Sequence, residues 1–174
     1  MKPSTPWLAL ALLMTAATAC EAQPRASQHG TVSQTVNATT ISLAYDRPVL
    51  RGRSVFGDIL DYEVVWTPGA NRTTWIEFTE PVTVEGAELE AGRYGLWTVP
   101  HEDEAWEVAF VREWDTHHSY FPRETEAARI RVDVEEGDHM EVLAFYFPVV
   151  GPYETTLRFH WGNTILPLRI TVPQ

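Results

Sequence analysis

Apolar and polar side chains alternate along most of this chain with a period of two. Ile41, Leu43 and Tyr45 share one face of an extended segment, Ile76 and Phe78 another, and Trp106, Val108 and Phe110 a third. Ile130, Val132 and Val134 alternate with Arg129, Arg131 and Asp133, and Thr155, Leu157, Phe159 and Trp161 repeat the pattern. Successive strand side chains point to opposite faces, so each run predicts a strand with one dry and one wet face. Residues 142–147 are apolar on both faces, which predicts a central strand covered on both sides or one that crosses a sheet edge. The Gly-Asn pair in Trp161-Gly162-Asn163-Thr164 predicts a two-residue hairpin turn, because glycine takes the positive φ of its first central position. Residues 84–87 and 91–92 read as similar reversals.

Helical periodicity is hard to find. Ten or so short strands punctuated by glycine and proline predict an all-β fold, an antiparallel β-sandwich with jelly-roll or Greek-key connections, as a single domain over 31–174. Trp106, Val108, Phe110, Val132, Phe145, Leu157 and Phe159 are its expected core. The least regular stretches, 47–68 and 113–126, are the expected long loops, where a site held by a rigid sandwich belongs.

The first nineteen residues have a different character. Lys2 is followed by an apolar run from Trp7 to Met14 and then by the small residues Thr15 to Ala19, the pattern of an export signal. The run is shorter than the roughly 20 residues a membrane-spanning helix requires. Cys20, the only cysteine, stands directly after Ala17-Thr18-Ala19, where a bacterial lipoprotein signal places the thiol that receives lipid. The expectation is therefore a signal over 1–19, lipidation at Cys20 and a polar tether over 20–30. Glu21 rather than aspartate follows the cysteine, which by sorting analogy favours the periplasmic face of the outer membrane.

With Cys20 lipidated, no thiol is left for a disulfide, a nucleophile or a metal, and about 150 residues must be held by their core. Removing Lys2 leaves 12 basic against 24 acidic side chains, a net charge of −12. That balance excludes nucleic acid as a partner and limits membrane attachment to the lipid anchor.

Against this acidic background, Arg47, Arg51 and Arg53 lie within seven residues of one another and Arg72 follows a Gly69-Ala70-Asn71 turn. The segment from Arg47-Pro48 through Arg51-Gly52-Arg53 to Phe56-Gly57, followed by Trp66 and Gly69-Ala70-Asn71, resembles the signature of the bacterial family known as domain of unknown function 2911. The likeness runs from about Thr31 to the C-terminus and includes the later stretch from Leu89 to Tyr94. The resemblance implies a fold but no activity. An arginine common after the tryptophan in that family is Thr67 here, so its role does not carry over.

Two readings of the arginines stand. They converge near Trp66 and Asn71 on a small anion or acidic glycan, which guanidinium groups bind in a fork geometry, or they pair with acids such as Asp46, Asp58 or Asp61 and lock the loop. The candidate ligand-binding set is Arg47, Arg51, Arg53, Trp66, Asn71 and Arg72. Trp75 and Trp97 fall out of phase with Ile76, Phe78 and Leu96, which suggests a sugar-stacking platform on an outer face or aromatic cross-strand packing. Neither a G-x-S-x-G nor an HExxH motif is present, and His117 and His118, adjacent in sequence, would point apart in a strand. No catalytic residue, metal or cofactor is assigned. The sequence reading is a lipid-anchored envelope module that binds a small anion, a glycan or an envelope protein. A hydrolase of envelope glycans or esters and a structural assembly component are the alternatives.

Overall fold

A computed structural model describes residues 26–174. The expected signal, Cys20 and the first part of the tether lie outside the described residues. The chain forms β1 (Gln28–Val36), β2 (Thr39–Arg47), β3 (Trp75–Phe78), β4 (Val82–Val84), β5 (Ala87–Leu89), β6 (Gly92–Val99), β7 (Trp106–Val111), β8 (Glu126–Val132), β9 (Glu135–Val150) and β10 (Glu154–Thr171). A single 3₁₀ turn at Arg123–Thr125 is the only helical element among the described residues.

Two antiparallel sheets face one another, one of six strands in the order β1-β2-β3-β6-β7-β8 and one of four in the order β5-β4-β10-β9. The fold is thus the expected all-β sandwich. Its core is where the alternation put it: Val108, Phe110, Leu157 and Phe159 are essentially inaccessible, and Trp106, Val132 and Phe145 are buried with them. Trp66 belongs here too, its ring 6.0 Å from those of both Phe159 and Trp161. Burial on this scale is the main stabilising term of a domain without cross-links.

Two expectations are corrected. The Gly-Asn pair at 162–163 does not turn the chain: β10 runs through it for 18 residues. Gly162 does take a positive φ of 58°, but it serves as an irregularity in the β9–β10 register, which shifts on both sides of it. Such a bulge bends a long strand without ending it. The apolar run 142–147 lies in β9, which is an edge strand of the smaller sheet, with Leu143 and Phe145 buried and the intervening side chains half-buried.

The β9 edge is sealed by the end of β2 and the segment after it. The Tyr45 hydroxyl accepts the Phe145 N–H at 3.0 Å, and the Arg47 Nε donates to the Leu143 carbonyl at 3.0 Å. The Leu143 N–H donates to the Pro48 carbonyl and the Leu50 N–H to the Glu141 carbonyl, both at 3.0 Å. Side chain and main chain together thus satisfy polar groups that an edge strand would otherwise leave open.

An added Cβ at Gly162 would lie 2.8 Å from Val55 Cγ2, in a left-handed conformation. Gly162→Ala is expected to destabilise the domain by roughly 2 kcal/mol, from the left-handed backbone and crowding together. A lower denaturant midpoint at unchanged m-value is the measurement.

Candidate functional site

The residue after Tyr45 faces the other way. Asp46 ends the outer face of β2, and the residue is only 6 % exposed despite its charge. A buried carboxylate needs partners. Asn71 supplies one, its Nδ2 donating to Asp46 Oδ2 at 2.7 Å, and His29 on β1 supplies the other, its Nδ1 lying 3.1 Å from Oδ1.

What carries Asn71 to Asp46 is the Gly69-Ala70-Asn71 turn. Asn71 sits at φ 63°, a left-handed conformation that asparagine tolerates better than most residues. Gly69 lies so close to β2 that an added Cβ would stand 2.5 Å from Thr74 Oγ1 and 3.3 Å from the Asp46 carbonyl. Buried threonines pin the flanks of the turn. Thr67 Oγ1 donates to the Leu96 carbonyl at 2.8 Å and accepts the Thr74 N–H at 3.0 Å. Thr74 Oγ1 donates to the Pro68 carbonyl at 2.9 Å, and Thr73 and Thr116 join hydroxyls at 2.7 Å. Each hydroxyl removed from water has a partner, so the turn is held as firmly as the strands.

Around Asp46 opens a groove of about 120 Å³ lined by His29, Asp46, Arg72, Trp75, Trp114 and Asp115, with Ala44, Tyr45 and Thr73 behind them. Arg72 is ion-paired with Asp115 across the mouth. Trp75 and Trp114 meet edge to face, ring centroids 6.4 Å apart. The Arg93 guanidinium lies over both, 3.9 Å from the Trp75 centroid and 4.5 Å from that of Trp114, while bonding Glu77 at 2.9 Å. Cation–π contact and ion pair together hold the two indoles in place.

The six residues expected from sequence are not gathered in one place. Arg72 lines this groove, and Asn71 holds its Asp46 carboxylate. Trp66 packs in the core instead. Arg47 spans to β9, Arg51 donates to the Ala26 carbonyl at 3.1 Å, and Arg53 donates to the carbonyls of Leu50 at 2.9 Å and Val49 at 3.1 Å. These guanidiniums hold main-chain oxygens rather than Asp46, Asp58 or Asp61. Asp58 accepts the Ser54 N–H, and Glu141 accepts the Arg51 N–H, which with His139 holds its carboxyl below the usual range.

Trp75 and Trp97 share the outer face of the six-stranded sheet without forming a common platform. Trp97 is buried beneath Phe121 from the loop after β7, with Ala109 and Val111 beside it, as a second small core. That loop also carries His117 and His118, whose rings lie 4.3 Å apart. Burial, and then the neighbouring His117, push His118 below the usual histidine range. Sequence reading missed Asp46, His29, Trp114 and Asp115 as members of one groove, because three separate segments bring them together. The available signal was Asp46, a lone acid at the end of an uncharged strand.

Asn71→Ala is expected to destabilise the domain by roughly 2 kcal/mol, through loss of a hydrogen bond to a buried carboxylate. Asn71→Gly loses the same bond but relieves the left-handed backbone, and should be about 1 kcal/mol less damaging. Paired denaturant melts separate the two contributions.

No curated protein and no solved structure matches this chain. The model of the family described as "Protein of unknown function (DUF2911)" matches residues 27–170, from the first strand into the last, and the chain belongs to that family.

Proposed function

We propose that this protein is a lipid-anchored module of the cell envelope that binds an uncharged portion of a glycan in the Asp46 groove. The observation that carries the reading is the buried Asp46 carboxylate, fixed by Asn71 and His29 beside the paired indoles of Trp75 and Trp114. Sugars are bound by this combination: aromatic faces stack on their C–H surfaces, and oriented carboxylates accept hydrogen bonds from their hydroxyls. Charge argues against a small anion. Two carboxylates, Asp46 and Asp115, border the groove against one guanidinium, Arg72, which is already paired. An incoming anion would meet uncompensated negative charge, whereas a hydroxyl meets acceptors. The groove has room for one edge of a sugar ring, so the recognised unit is a terminal or protruding residue of a longer chain.

Titration of soluble N-acetylhexosamine and neutral hexose oligosaccharides, followed by tryptophan fluorescence, tests the binding. At least one class should produce a saturable change that Trp75→Ala abolishes and that inorganic phosphate does not reproduce. A flat response throughout, or an unaltered response in Trp75→Ala, would defeat the glycan reading. Release of shortened sugars during the titration would instead favour the hydrolase, with His29 and Asp46 as its acid–base pair.

Anchoring is tested independently. Metabolic labelling with a fatty acid should mark the wild-type chain, and Cys20→Ser should lose the label and leave the membrane fraction. An unlabelled, freely soluble wild type would rule out the anchor.

A further inference from the structure

Among the described residues, three of the four sheet edges carry ordinary protection against further pairing. β5 is only three residues long and bears Glu88, β8 carries Arg129 and Arg131, and β9 is bulged and sealed by the segment after β2. Short strands, charges and bulges are the usual means of blunting an edge. β1 has none of them. It runs nine residues in unbroken register with β2, from Gln28 opposite Arg47 to Val36 opposite Thr39. The twenty residues 26–45 contain no Asp, Glu, Lys or Arg, in a chain with 24 acids.

The direction of the open groups follows from the hairpin. A two-residue turn at Asn37-Ala38 makes Val36 and Thr39 a hydrogen-bonded pair, so even-numbered residues of β1 face β2 and odd-numbered ones direct N–H and C=O outward. The same alternation places the Thr40 carbonyl on the β3 side of β2, where it accepts the Thr79 N–H at 3.1 Å. Among the described residues no strand, bridge or loop main chain bonds the outward groups of His29, Thr31, Ser33 and Thr35. One of them, the Thr35 carbonyl, is held by its own neighbour, the Gln34 Nε2 at 2.8 Å.

We propose that β1 is a self-pairing edge, through which two copies of this chain join antiparallel about a two-fold axis at Ser33. In that register Ser33 faces Ser33 of the second copy and Thr31 faces its Thr35, giving about six main-chain hydrogen bonds. Their side chains are matched as well. Ser33 and Ser42 hydroxyls already lie 3.0 Å apart on the outer face, as do those of Thr35 and Thr40, and pairing extends this hydroxyl ladder into the second copy. A second copy is favoured over an unrelated partner because the edge is complementary to itself: about Ser33 each exposed hydroxyl meets another hydroxyl, and with no Asp, Glu, Lys or Arg in 26–45 the paired strands set no like charges opposite one another.

Sedimentation velocity over a dilution series tests the proposal, using the whole chain produced with its own export signal and Cys20→Ser to remove the thiol. Wild type is expected to show a concentration-dependent doubling of mass. Thr31→Lys with Thr35→Lys sets like charges opposite one another twice, and should weaken association roughly tenfold relative to Thr31→Lys with Thr35→Glu, which sets opposite charges there. Both doubles alter only exposed side chains. A matching melting temperature in the two separates lost pairing from lost folding. A wild type that is monomeric throughout, or two doubles that associate equally, overturns it.

Discussion

The seam between β9 and the stretch from Tyr45 to Leu50 is the constraint on which the rest of this structure depends. A sandwich of two open sheets has edges that must be satisfied or hidden, and β9, with Leu143 and Phe145 buried, cannot be left to water. The chain solves this by leaving the six-stranded sheet at Arg47 and running on along the edge of the other. Tyr45 and Arg47 reach β9 through side chains, Pro48 and Leu50 through the backbone. Because side chains alternate along a strand, Asp46 must then face outward, and the groove exists where that carboxylate emerges.

This arrangement gives the family signature a physical reading. Arg47-Pro48 starts the seam, Arg51 and Arg53 tie down its exit by holding carbonyls, and Gly69-Ala70-Asn71 returns to satisfy the acid that the seam displaced. Most of these residues are architectural. Asn71 alone among them bonds the groove's carboxylate, and the aromatic wall is supplied by Trp75 and Trp114, which lie outside the signature.

The sandwich was legible in the sequence because alternation is local: Trp106, Val108 and Phe110 declare their face without reference to anything distant. Gly162-Asn163 misled for the same reason, since a glycine with positive φ is common to hairpin turns and bulges, and only pairing with β9 decides between them. Trp97 was out of phase with the core because it belongs to another one, under Phe121, contributed by a loop with no period to read. The groove was least legible. Its acid, its amide and its indoles come from positions 46, 71, 75 and 114, and a single chain gives no measure of distance between such residues.

The last strand has a consequence for how the molecule comes into being. β10 occupies an inner position of the smaller sheet, bonded to β4 on one side and to β9 on the other, and it follows the other nine strands in chain order. Until its residues are present, β4 and β9 have no common neighbour, and half of the sandwich has no sheet to bury against. The sandwich is therefore completed only when β10 pairs with β4, a contact distant in sequence, and such topologies close slowly. During synthesis the stretch from β1 to β9 therefore waits, with the inner face of its six-stranded sheet uncovered, until β10 arrives to join β4 to β9.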